Sequence, residues 1–110
     1  MLREDETRVR HILDAARKAR EFAESRKRAD LEKDEMLALS LVRLLEIIGE
    51  AAGDVSEEYR TKHADVPWKK MVGLRNRLIH GYFDIDLDIV WDTVAGDLPP
   101  LIKALEKLVP

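Results

Sequence analysis

The 110-residue chain contains no cysteine, which excludes a disulfide framework and a thiolate zinc site and suits a reducing compartment. Aromatic residues make up only 5% of it, too few for the stacking platforms that grip single-stranded nucleic acid. No apolar run reaches membrane-spanning length, and the opening MLREDETRVR lacks the apolar stretch of a signal peptide. An excess of positive charge is missing too. With 22 acidic and 19 basic side chains the formal net charge is −3, so the overall field cannot hold nucleic acid and any RNA contact has to be local. Gly-rich phosphate loops, zinc-ligand spacings and Ser-His-Asp patterns are absent, so neither a cofactor nor a metal is expected. These absences predict a soluble, cytoplasmic protein without a membrane contact. Its length predicts one domain, residues 1–110, to which a partner subunit would add useful buried area.

Charged residues, at 37%, are plentiful and patterned for amphipathic helices. Apolar positions Val9, Ile12, Leu13, Ala16, Ala19 and Ala23 predict a first helix from Thr7 to about Ser25. The basic run Arg26, Lys27, Arg28 reads as its solvated end, where cations suit the carbonyl terminus, in preference to an RNA patch. A second helix should start between Asp30 and Asp34 and run to Ala52, with Gly53 as its stop. Its middle, MLALSLVRLLEIIGEAA, is apolar nearly all round, which places it centrally or between the domain and a partner subunit. One polar line crosses it at steps of three and four: Arg43, Glu46, Glu50. That line is either a surface ion-pair ladder or the orienting wall of a functional groove. Ser56 should cap a short helix in DVSEEYRTKHADV. Pro67 should open a third long helix, PWKKMVGLRNRLIH, closed by Gly81. A fourth starts in DIDLDIVWDTV and continues to Leu108, with a kink or restart at Pro99-Pro100. No strand pattern of convincing length appears, so an all-α, up-and-down bundle of four to five helices is expected.

The chemistry concentrates in helix three. Trp68, Met71, Val72, Leu78 and Ile79 mark its apolar arc, and Arg75 projects inside that arc, where a charge needs a counter-charge or a ligand. His80 lies five residues on, roughly 140° round the axis and ~7.5 Å along it, so the two side chains do not stack on one line. They can act on one substrate if His80 sits in a frayed last turn or if an antiparallel copy of the helix supplies a second pair. The second arrangement predicts a twofold homodimer. Cleavage of RNA by its own 2′-hydroxyl needs a base, an acid and positive charge on the phosphorane oxygens. Imidazole and guanidinium supply these, and Asn76 could steady the imidazole or a phosphate oxygen. The plainer reading has His80 capping the helix and Arg75 pairing with Glu46 or Glu50 as a strut. His11 and His63 lack comparable company, and Asp84, Asp86 and Asp88 read as an acidic helix start because a calcium loop's glycine and closing glutamate are missing.

The run RNRLIHGYF, with EIIGEAA upstream and DIDLDIVWDTV downstream, resembles the HepT toxin family of HEPN domains. The likeness covers nearly the whole chain, and the signature, an arginine, a polar residue, a histidine and a tyrosine, is complete in Arg75, Asn76, His80 and Tyr82. The resemblance implies an all-α HEPN-type dimer and a metal-independent endoribonuclease serving as the toxin of a two-gene toxin–antitoxin module. It further implies a minimal nucleotidyltransferase antitoxin that silences the toxin by attaching AMP to Tyr82. Alternatives are a non-catalytic HEPN dimer that binds nucleotide or a partner protein through an Arg75 anion clamp, and a plain helical dimerisation module.

Overall fold

Two long helices carry the architecture. In the computed structural model, which describes residues 2–81 and 84–109, α1 spans Leu2–Ala23 and α3 spans Glu35–Asp54. They run antiparallel: Arg8 near the start of α1 reaches Asp54 at the end of α3, while Arg26, just past α1, bonds Asp34 at the start of α3. Between them lies the short α2, Asp30–Lys33. The pair buries Val9, Ile12, Ala16 and Ala19 from α1 against Leu41, Leu45, Ile48 and Ala52 from α3, all at 0% exposure. Truncating a leucine or isoleucine in such a setting costs about 2–5 kcal/mol. Helix α8, Leu98–Glu106, returns along α1, fixed by the Arg17–Glu106 pair and by Arg20 donating to the Val94 carbonyl.

The ends of these helices differ from the periodicity. Helix α1 starts at Leu2 instead of Thr7, because its first turn carries acidic Glu4 and Asp5, which favour a helix start without marking an apolar face. It stops at Ala23, and Ser25 turns the chain with φ 61°. The second predicted helix is interrupted at Asp34, whose backbone leaves the helical region (φ −121°, ψ 89°) while its side chain caps α3 through the Leu37 N–H. Gly53 does not stop α3, which continues to Asp54.

Helix α4, Glu57–Lys62, begins at the expected Ser56 cap, whose Oγ accepts from the Tyr59 N–H at 3.2 Å. The third long helix is the largest correction. It is divided at Gly73 (ψ −2°) into α5, Trp68–Val72, and α6, Leu74–Leu78. After Leu78 the chain becomes extended, and β1, Ile79–His80, pairs antiparallel with β2, Asp84–Ile85. Gly81 takes φ +76° in this hairpin, a value only glycine adopts without strain, so it serves a strand turn and not a helix end. The expected all-α fold class holds, with one two-residue strand pair as the sheet among the described residues.

The fourth predicted helix is a composite of α7, Leu87–Asp92, a π-helical turn, Thr93–Asp97, and α8. The restart before Pro99-Pro100 follows the expectation: both prolines occupy the first turn of α8, where no backbone N–H is required. Its helix ends at Glu106, short of Leu108. Counting these divisions, the bundle has more and shorter pieces than the four to five helices predicted. Among the described residues, no helix is long and apolar enough to cross a membrane.

The α5–α6 pair sits on α3 because of one glycine. A Cβ at Gly49 would lie 2.9 Å from the Met71 carbonyl oxygen, so α5 can approach α3 this closely only with glycine there. That contact sets where α6 emerges from the body.

Candidate active site

Leu74 and Leu78, one turn apart, anchor α6 in the core, leaving Arg75 and Asn76 on the opposite, exposed side. Arg75 is thus not buried in the apolar arc; the break at Gly73 rotates it out, and its side chain is 54% exposed. Its Nε stands 3.6 Å from Glu46 Oε2 on α3. The Arg75 carbonyl accepts the Ile79 N–H, the last helical bond before the chain extends.

His80 consequently lies beyond the helix and not in its last turn. Placed in β1, it pairs across the bridge with Asp84, and its side chain is 61% exposed. Nε2 stands 3.7 Å from Asp86 Oδ2. Asp86 also caps α7, accepting from the Ile89 N–H at 3.1 Å, and its own N–H donates to the Leu78 carbonyl at 2.7 Å. The acidic-start reading of Asp84, Asp86 and Asp88 holds for Asp86 as the cap and Asp88 in the first turn of α7. It missed that the same carboxylate reaches His80. The contact depends on the β1–β2 pairing, which brings Asp86, just past β2, back beside His80.

Arginine and histidine therefore each receive a separate carboxylate, from α3 and from the start of α7. The polar line on α3 divides accordingly. Glu46 serves Arg75, whereas Arg43 pairs with Glu50 at 3.3 Å on the open surface. Tyr82 lies outside the described residues. Histidines 11 and 63 stay apart from this cluster: His11 is exposed on α1, and His63 ends α4 with its ring 4.4 Å from Tyr59. The basic run after α1 is tied down within the molecule, Arg26 to Asp30 and Asp34, Arg28 to Glu32 and Asp88.

The open guanidinium can present parallel N–H donors to a phosphate, and the open imidazole can take or give a proton. Among the described residues, no group of three or more His, Asp or Glu side chains is disposed to hold a metal ion.

Comparison with known proteins gives the same direction. A family model described as "Ribonuclease HepT-like" matches residues 12–108. A protein named "Putative RNase" from Caldanaerobacter subterraneus subsp. tengcongensis is 42% identical over 80 residues, covering 73% of this chain and 71% of its own. Another of that name from Methanocaldococcus jannaschii is 41% identical over 95 residues, 86% of this chain and 87% of its own. A "Probable ribonuclease HepT" from Thermococcus cleftensis is 39% identical over 75 residues, 68% of each chain. No solved structure matches the chain significantly.

Proposed function

The chain belongs to the HepT-like ribonuclease family, and on that premise we propose that it is a metal-independent endoribonuclease acting as the toxin of a toxin–antitoxin pair. The observation that carries the reading is the site itself: Arg75 on α6 and His80 on β1, five residues apart in the chain, are both solvent-open, and each is steadied by a carboxylate.

In the proposed reaction an imidazole takes the proton of the ribose 2′-hydroxyl, the O2′–P bond forms, and the P–O5′ bond breaks as a second imidazole protonates the departing 5′-oxygen. The product strand ends in a 2′,3′-cyclic phosphate. Guanidinium groups face the phosphorane oxygens, and Asn76, exposed beside Arg75, holds a phosphate oxygen. One chain offers one imidazole here, so the second comes from His80 of another copy across a twofold axis. A homodimer is supported by the outward side of α3. There Met36 (81% exposed) and Leu39 (49%) continue the stripe of Arg43, Glu46 and Glu50. Uncovered large apolar side chains on one helix face suit a protein partner.

Silencing follows from the same charges. A minimal nucleotidyltransferase antitoxin would attach AMP to Tyr82, two residues after His80, putting an anion and a nucleoside where the RNA phosphate must sit.

Purified protein with single-stranded RNA and a chelator should leave 2′,3′-cyclic phosphate ends, and His80→Ala should abolish cleavage without dissociating the dimer. Persistent cleavage in His80→Ala would remove the proposal. Growth arrest lost in Arg75→Ala but kept in His80→Ala would favour a non-catalytic anion-binding dimer. Co-expression with the nucleotidyltransferase should add AMP masses that Tyr82→Phe prevents.

A further inference from the structure

Three aspartates surround the hairpin that carries His80, and their engagements differ. Asp88 is held by Arg28 at 2.7 Å, and Asp84 is the exposed cross-strand neighbour of His80. Asp86 alone is fixed from three directions. Its N–H is bonded to Leu78, one carboxylate oxygen caps α7 at Ile89, and the other faces His80 Nε2 at 3.7 Å. Because the cap and the backbone bond together set the carboxylate's position, its second oxygen is held on the His80 side.

We propose that Asp86 is a positioning residue for His80, selecting the imidazole tautomer protonated at Nε2 and leaving Nδ1 as the nitrogen that exchanges a proton with RNA. A carboxylate only accepts hydrogen bonds, so the ring nitrogen facing it is the one that bears hydrogen. The neutral ring then has its lone pair at Nδ1. At 3.7 Å the contact is longer than a hydrogen bond, so in the free protein the carboxylate acts on the ring through its charge, which favours the tautomer whose N–H faces it. The inference rests on the ribonuclease reading for what Nδ1 does, but the tautomer is a property of the free protein.

Asp86→Asn separates the two roles. The amide oxygen can keep the Ile89 cap while its NH₂ group is turned toward Nε2, which would then have to accept and so shift the hydrogen to Nδ1. Long-range ¹H–¹⁵N spectra of histidine-labelled protein, at a pH where the ring is neutral, should show His80 protonated at Nε2 in the wild type and at Nδ1 in Asp86→Asn. RNA cleavage by Asp86→Asn should fall about ten- to a hundredfold in kcat with KM unchanged. Asp86→Ser, which keeps a capping oxygen without a carboxylate, should lose the rate similarly while melting near the wild type. A wild-type ring protonated at Nδ1, or an Asp86→Asn rate within about twofold of wild type, overturns the assignment. Wild-type protein that cleaves no RNA but shows the tautomer change overturns the ribonuclease reading and leaves the Asp86–His80 assignment in place.

Discussion

Glu46 on α3 and Arg75 on α6 approach to 3.6 Å across two helices, with Glu46 at 21% side-chain exposure and Arg75 at 54%. A pair so open on one side contributes about 0–1 kcal/mol to stability, so its consequence is orientation of the guanidinium more than anchorage of the fold. Glu46→Gln should change unfolding free energy by less than about 1 kcal/mol yet slow RNA cleavage by about tenfold or more. Urea melts and initial-rate kinetics on the same preparations check both halves. An unchanged rate would reduce Glu46 to a strut.

Gly49 determines how closely α5 approaches α3. An added methyl group would meet the Met71 carbonyl oxygen at 2.9 Å, and a backbone oxygen cannot swing aside as a flexible side chain can, so one helix must shift. Gly49→Ala should cost about 1–3 kcal/mol in denaturant unfolding and displace α6 with its arginine. Gly53, in the same helix with nothing within 4 Å of its added Cβ, is the control. There the alanine should be neutral or stabilising by about 0.4–1 kcal/mol.

Asp5 closes the body at the far end of α1. It is 3% exposed, and its two carboxylate oxygens accept from the Ser56 N–H at 2.8 Å and the Ser56 hydroxyl at 2.7 Å. Burial opposes its ionisation, but those two hydrogen bonds, helped by Arg8, outweigh it and hold the carboxyl below its usual range. Since the folded value is lowered, the resulting stability is present above the unfolded carboxylate value of about 3.9 and is lost as pH falls through the folded one. Ser56→Ala removes one of these bonds and the α4 cap. It should cost about 1 kcal/mol or more near neutrality, and the gap to wild type should narrow on going from about pH 7 to about pH 3. Urea melts at both pH values measure it, and a gap that does not narrow would contradict the linkage.

The elements legible in the sequence were those whose apolar spacing persists over several turns. Leu37, Leu41, Leu45, Ile48 and Ala52 gave α3 its buried face, and Val9, Ile12, Ala16 and Ala19 did the same for α1. Ser56 and the paired prolines marked helix starts through local chemistry that tertiary contacts did not override. The helix-three prediction failed at Gly73 and after Leu78. There the apolar positions continue at helical spacing on both sides of each break, and periodicity alone cannot register a break. The position of Arg75 followed that error. The option of pairing with Glu46 was nevertheless readable, because the α3 polar line contained only Glu46 and Glu50 as partners. The Asp86–His80 contact was hidden because it depends on the hairpin, and a two-residue strand leaves no alternating pattern in the sequence.

In the proposed reaction two imidazoles from two chains meet one RNA linkage, and mixed dimers test that most directly. A dimer purified through two different tags, with one wild-type copy and one His80→Ala copy, would carry a single imidazole in the shared groove. Lacking either the base or the acid, it should cleave about a hundredfold or more slowly than the wild-type dimer. A mixed dimer working at about half the wild-type rate would mean that each chain holds a complete and independent site, contradicting the shared groove.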